Sequence, residues 1–215
     1  MKKKTTTAAS GASKRRKSAL ASGSQRSAAS GDASVEIRRL KRKLAEAQAG
    51  IAQLQASADT DFLLGILNRR GFERELGRAT SYIRRYHANG ALIVLDVDRL
   101  KPINDSFGHA AGDQVLKAVV DILSRQIRAS DVIGRLGGDE FALLLWNLSE
   151  ADAHAKAAAL EADIDRLSLV FGGRAVTAGA SAGVAVLGPH SEPGRALEEA
   201  DGAMYLRKAQ RRRVE

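Results

Sequence analysis

Four carboxylates stand where they could act together. Asp96 and Asp98 close the apolar run Ala91 to Leu95, and Asp139 and Glu140 follow the paired glycines Gly137 and Gly138. Where a sheet sets two such segments side by side, their acids converge. Two carboxylates about 4 Å apart repel by about 1 kcal/mol at bulk dielectric and about 4 kcal/mol at an effective value near 20. Convergence therefore calls for a cation. Oxygen donors of this kind suit Mg²⁺, which takes one or two carboxylates and completes its shell with substrate phosphates. The glycines lack Cβ atoms, so the turn is free to take φ > 0 and to let a nucleotide lie against the backbone. A bare Gly-Gly-Asp fits an ordinary hairpin loop with solvated acids equally well. The five residues Gly137 to Phe141, with Asp96 ending a preceding strand, are a far more specific set.

The surrounding pattern supplies the elements that must position these acids. Phe72, Leu76, Ala79 and Ile83 mark one face of a helix, and Ala91 to Leu95 read as a buried strand ending at Asp96. Val115, Leu116, Val119, Ile122, Leu123 and Ile127 stripe a second helix. A short strand near 132–136 enters the glycine turn, and Phe141 to Trp146 return as an apolar strand suited to the centre of a sheet. Ala153, Ala157, Leu160, Ile164 and Leu167 stripe a third helix, Ser181 to Val186 form another strand, and a last helix starts near Arg195. The order β-α-β-β-α-β predicts an α+β, ferredoxin-like core built on an antiparallel central hairpin. With helices on one face, the active site is expected on the opposite face. In that topology the first strand and the hairpin are neighbours, which is what brings the acids together.

Composition bounds the rest. The chain of 215 residues holds no cysteine, so disulfides, thiolate zinc sites and cysteine nucleophiles are excluded and nothing asks for an oxidising compartment. No apolar run is long enough to span a membrane, and the basic N-terminus lacks the apolar stretch of a secretory signal, so a cytoplasmic protein is expected. Residues 1–34 carry eight Lys and Arg against Asp32, and so most of the net charge of +9. They have almost no large apolar side chain and are expected to be disordered. Such a basic tail suits contact with nucleic acid or an anionic surface, or a mere solubilising leader. Over residues 35–57, Ile37, Leu40, Leu44, Ala47, Ile51 and Leu54 alternate at spacings of three and four, a heptad seam interrupted by Gly50. This predicts a helical coiled-coil stalk, with a helix packed on its own domain as the alternative. The catalytic domain is expected over 58–215.

Several motifs in order give the chain a family likeness. Asp61-Phe-Leu-Leu-Gly-Ile-Leu-Asn-Arg-Arg70, Asp96-Val-Asp-Arg-Leu-Lys-Pro-Ile-Asn-Asp105, Gly108-His109, Gly112-Asp113, Arg135-Leu-Gly-Gly-Asp-Glu-Phe141, Ser181-Ala-Gly-Val-Ala185, and Ala200-Asp201 with Tyr205, Lys208 and Arg212 follow one another. Over about residues 59–212 this resembles the GGDEF family of diguanylate cyclases, whose fold is the nucleotide-cyclase palm. The resemblance implies a nucleotidyltransferase that joins two GTP into cyclic di-GMP, with Mg²⁺ (or Mn²⁺) as cofactor and a homodimer as the working unit. It implies that Asp96, the Val97 carbonyl and Asp139 hold the metal, that Asp139 accepts the proton, and that Glu140 assists. Asn104 and Asp113 would read the guanine edge and His109 would line the site. Gly137 and Gly138 would admit the nucleotide, and Lys208 and Arg212 would neutralise the β- and γ-phosphates. An Asp carboxylate accepts from the guanine N1–H and exocyclic amine, a pattern adenine does not offer.

Arg128 and Asp131 stand at the spacing of the family's RxxD product site, which implies feedback by cyclic di-GMP. The plain alternative is a surface arginine at a helix C-terminus beside an ordinary Asp. A second reading of the whole chain is a catalytically weak GGDEF domain that serves as a cyclic di-GMP effector. The chain departs from the family pattern at Leu64, at Leu100, and at Arg211 and Arg213, which flank Arg212 where the family has Gly and Asn. If the glycine position needs φ > 0, arginine there costs about 1–2 kcal/mol; otherwise the last helix runs on through Arg213. The family's terminal edge strand is expected to be absent. His87, His154 and His190 have no partner pattern and are expected on the surface.

Overall fold

The computed structural model describes residues 37–48 and 58–213, in two units, Met1–Gln55 and Ala56–Glu215. In the first unit residues 37–48 form helix α1, with Ile37, Leu40 and Leu44 all exposed. Gly50, Ile51 and Leu54 of the expected seam, and the expected disordered tail, lie outside the described residues.

The second unit runs β1 (Leu67–Asn68), α2 (Arg69–Tyr86), β2 (Gly90–Asp98), α3 (Leu100–Phe107), α4 (His109–Gln126), β3 (Val132–Arg135), β4 (Glu140–Trp146), α5 (Glu150–Asp165), β5 (Ser168–Phe171), β6 (Arg174–Thr177), β7 (Gly179–Leu187) and α6 (Pro193–Arg211). The main sheet has the order β1-β3-β4-β2-β7. β2 lies antiparallel to β4 and to β7, β3 antiparallel to β4, and β1 parallel to β3. The expected β-α-β-β-α-β core is β2, α4, β3, β4, α5 and β7, in ferredoxin-like order.

Helices cover both faces of this sheet rather than one. Ile93, Leu95, Leu143 and Leu145 point to α4 and α5, where Val119, Leu123, Leu160 and Ile164 meet them. The alternate residues Leu92, Val94, Ala142 and Leu144 point to Phe72, Leu76 and Ile83 of α2 and to Ala196, Ala200 and Met204 of α6. The two flanking helices lie outside the β-α-β-β-α-β unit, before its first strand and after its last, and they take the face the unit leaves bare. Burial on both sides explains why β2 reads as an unbroken apolar run. The acids stand instead at the strand ends, Asp96 and Asp98 closing β2 and Glu140 opening β4.

Local chemistry sets the boundaries. Asn68 caps α2, accepting from the Gly71 N–H at 3.0 Å, and Ser149 caps α5, accepting from the Asp152 N–H at 3.2 Å. Gly183 lets α6 lie directly on β7, since a Cβ there would sit 2.1 Å from the Ala200 carbonyl oxygen. Two elements escape the periodicity. α3 is a separate short helix, because Gly108 at φ 82° breaks it from α4. β5 and β6 form a hairpin through Gly172 and Gly173, both at positive φ, and α5 ends before Leu167. Among the described residues the outer edge of β7 pairs with no strand.

Candidate active site

The glycine turn is held from three sides. The Val97 N–H donates to the Asp139 carbonyl at 2.9 Å, and the Leu136 N–H donates to the Glu140 carbonyl at 2.8 Å. Arg135 donates from Nε to the Gly137 carbonyl at 3.0 Å and from Nη2 to the Gly138 carbonyl at 2.6 Å. Its other amino group pairs with Asp61 at 3.1 Å, and Asp61 itself accepts from the Leu63 and Leu64 N–H groups. Arg69 donates to the Leu136 carbonyl at 2.8 Å and reaches Glu140 at 3.7 Å. Neither Gly137 nor Gly138 takes the positive φ allowed for above. Of the two, only Gly137 has a close neighbour. A Cβ on Gly137 would meet the Glu140 carboxylate at 3.0 Å, and open space surrounds the Cβ position of Gly138.

β-Register brings the acids together. Asp96 stands opposite Glu140 on β4 and opposite Ser181 on β7. Asp96 is buried, and Lys208 of α6 bonds its Oδ1. Asp98 accepts from the Ser181 hydroxyl at 3.0 Å. A cavity of about 290 Å³ opens here, lined among others by Val97, Asp98, Arg99, Asp139, Lys208 and Arg212. Arg99 enters α3 in the left-handed region at φ 66°, the sharp bend that turns the chain out of β2 beside the acids. Arg211 is helical and Arg212 follows at φ −62°, its N–H donating to the Lys208 carbonyl at 3.1 Å. The helix thus ends at Arg211 and does not run on through Arg213, yet Arg211 is still helical, so arginine in the family's glycine position carries no left-handed strain.

Electrostatics follow the crowding. Burial pushes the Asp96 carboxyl above the usual range against the pull of Lys208, with Asp139 and Asp98 adding to the rise. Burial and then Asp201 raise Glu140, against Arg69. Among the described residues no three Asp, Glu or His side chains form a metal cluster by themselves. A buried carboxylate, a second carboxylate and a backbone carbonyl nevertheless suit a divalent ion whose remaining ligands come from phosphate and water. The ammonium of Lys208 already occupies the cation position on Asp96.

Asn104 and Asp113 meet at the elbow between α3 and α4. Asn104 packs so closely on Gly112 that a Cβ there would lie 2.0 Å from its Oδ1, and that Oδ1 is buried without a hydrogen bond. Asp113 is half-buried and His109, the first residue of α4, is exposed. Arg128 and Asp131 lie at the other end of the β3–β4 hairpin. Arg128 is exposed, while Asp131 accepts from the Arg128 N–H at 2.9 Å and the Trp146 N–H at 3.2 Å. His87, His154 and His190 are exposed.

Residues 58–214 match the family described as diguanylate cyclase, GGDEF domain. The chain belongs to the GGDEF family. Among its curated relatives, the diguanylate cyclase TpbB of Pseudomonas aeruginosa is 39% identical over 163 residues, covering 75% of this chain and 38% of that protein. The probable diguanylate cyclase DgcE of Escherichia coli K12 is 35% identical over 164 residues, covering 76% of this chain and 15% of that protein. The chain therefore spans well under half the length of either. Among solved structures, the GGDEF domain of TpbB superposes with a TM-score of 0.66 at 38% identity, covering 70% of this chain and 89% of that one. The GGDEF domain of Caulobacter crescentus DgcB in complex with c-di-GMP gives 0.68 at 28% identity, covering 71% and 89%.

Sequence reasoning on this GGDEF domain had Asp61, Arg69 and Arg135 as motif residues without their role, which is to brace the turn. It missed Glu161 with Arg207 and Asp165 with Arg211, which fasten α6 to α5. The members of these two pairs lie 46 residues apart, so no local pattern marks them.

Proposed function

We propose that this GGDEF domain is a diguanylate cyclase, converting two GTP into cyclic di-GMP and two pyrophosphates. The observation that carries this is the register of Asp96 against Glu140, with Asp139 tied to Val97 beside them at the mouth of a cavity that Lys208 and Arg212 also line.

In the reaction each 3′-hydroxyl gives its proton to Asp139, with Glu140 assisting. The 3′-oxygen forms a bond to the α-phosphorus of the opposing GTP, and the bond from that phosphorus to the bridging oxygen breaks as pyrophosphate leaves. Mg²⁺, or Mn²⁺ in its place, held by Asp96, the Val97 carbonyl and Asp139, would neutralise the triphosphate and stabilise the attacking and leaving oxygens. Lys208 exchanges Asp96 for β- and γ-phosphate oxygens when GTP enters, and Arg212 joins it. Asn104 and Asp113 take the guanine edge through their side-chain donors and acceptors. His109 flanks the base, and Gly137 and Gly138 give the nucleotide room.

One site holds one GTP, so closing the ring takes two subunits facing each other. The exposed row Ile37, Leu40 and Leu44 on α1 supports a homodimer through the 35–57 stalk, which raises the effective concentration of the second site. Cyclic di-GMP then acts on Arg128 and Asp131 as feedback ligand. The reaction draws on the cytoplasmic GTP pool, and among the described residues no helix is long and apolar enough to cross a membrane. The test is incubation of the purified chain with GTP and Mg²⁺, followed by chromatography. Cyclic di-GMP is the expected product. Tight cyclic di-GMP binding with no turnover would replace this reading with the effector.

A further inference from the structure

The last turns of α6 present two rows of cations, each four residues apart. Lys208 and Arg212 face the cavity of the acids. Arg207 and Arg211 pair with α5, where Glu161 and Asp165 are also four apart, and Arg211 borders the cavity as well. The Glu161 carboxylate, buried at 4% exposure, accepts from Arg207 Nε at 3.0 Å and Nη2 at 2.7 Å. One turn on, Asp165 accepts from Arg211 Nη1 at 3.0 Å and Nη2 at 2.6 Å. Each acid also meets the free edge of β7, Glu161 taking the Ala182 N–H at 2.9 Å and Asp165 the Ala180 N–H at 3.4 Å. Arg211 Nε is buried 3.6 Å from Asp98 Oδ2, without a hydrogen bond.

We propose that this two-rung ladder, Glu161–Arg207 and Asp165–Arg211, positions Lys208 and Arg212 on the triphosphate. The residues of the ladder are positioning residues, and the inference rests on the GTP reading above. Adjacent helix positions differ by about 100° in direction, so fixing one row fixes the other. Forked guanidinium–carboxylate pairs fix direction as well as distance, and both rungs are of this type. The β7 amides hold the two carboxylates in turn, so that the rotation of α6 is referred to the strand that also pairs with Asp96. Without the ladder α6 would keep its apolar contacts through Ala196, Ala200 and Met204, all at least two residues before Arg207. Its C-terminal turns would lose these charged anchors on α5. Lys208 and Arg212 would then sample directions away from the cavity.

The experiment compares binding of a non-hydrolysable GTP analogue and of GMP to the wild-type chain, Glu161→Gln and Asp165→Asn, with Mg²⁺ present. GMP lacks the β- and γ-phosphates, so it reports on the rest of the site. The expected result is analogue affinity lower by roughly tenfold in each variant, the loss of about one charge-assisted contact. GMP affinity stays within twofold. The conservative variant Asp165→Glu, which keeps a carboxylate for Arg211, holds analogue affinity to within about threefold of wild type. Equal losses for both ligands, or unchanged analogue affinity with a lower melting temperature, would show a purely structural ladder and overturn the inference. Wild-type protein that binds neither ligand would overturn the GTP reading itself, and the ladder's role with it.

Discussion

Asp96 and Glu140 face each other across the β2–β4 pair, and both are pushed toward their protonated forms, in each case first by burial. A fold gains nothing in stability from holding two acids this way. For an acid whose folded pKa is raised, the stabilising contribution is complete below the unfolded value and is lost as pH rises through the folded one. Glu140→Gln should therefore melt at a higher temperature than the wild type at pH 7 without metal. The gap should close by about pH 3, below the usual carboxylate value, where the carboxyl is protonated in both states. Thermal melts at the two pH values check this, and an equal melting temperature at pH 7 would contradict it.

The glycines that let α2 and α6 approach the sheet are a separate matter. A Cβ on Gly134 would lie 2.7 Å from the Phe72 Cβ, and one on Gly183 would meet the Met204 backbone nitrogen at 2.2 Å. Gly134→Ala should cost about 1–3 kcal/mol by overpacking. Gly183→Ala meets backbone rather than a movable side chain and should cost more. Denaturant titration reads both, and a smaller loss at Gly183 than at Gly134 would go against this packing.

The proposed base recognition places guanine at the α3–α4 elbow. Gly112→Ala would drive a methyl into the Asn104 amide, so it should raise the KM for GTP by roughly tenfold or more without removing any polar group. Asn104→Ala should narrow the preference for GTP over ATP, measured as the ratio of kcat/KM values. An unchanged ratio would take Asn104 out of the guanine site.

Feedback is best probed at Arg128. Its side chain is exposed, whereas the Asp131 carboxylate also secures two backbone N–H groups. Arg128→Ala should abolish inhibition by added cyclic di-GMP while leaving the initial rate and the melting temperature unchanged. Asp131→Ala should weaken the fold by about 1 kcal/mol as well, because it strips two hydrogen bonds. Inhibition that persists in Arg128→Ala would leave this pair as an ordinary turn.

The convergence of Asp96 with Asp139 and Glu140 was legible in the sequence, because a hairpin beside a strand fixes its neighbours once the order of elements is read. The stripes at Phe72–Ile83 and Val115–Leu123 likewise announced their helices. The covering of both faces was not legible, since an apolar run such as Ala91 to Leu95 does not say which helix lies on which side. α3 was hidden by its length of eight residues. The bond from Lys208 to Asp96 joins residues 112 apart, and the two rungs on α5 join residues 46 apart, so only the folded chain reveals them. Arg211, unfavourable if read against a glycine, is accommodated because it is the last helical residue of α6, and neither it nor Arg213 takes a positive φ.

The central claim is that GTP is joined into cyclic di-GMP at these acids. The most direct measurement is chromatography of the products formed from GTP and Mg²⁺ by the wild type, by Asp139→Ala and by Asp96→Asn, with each variant shown to be folded. The expected products are cyclic di-GMP, with two pyrophosphates for each molecule, from the wild type, and at least about a hundredfold less in both variants. No cyclic di-GMP from dimeric wild-type protein, or undiminished product from Asp139→Ala, would contradict it.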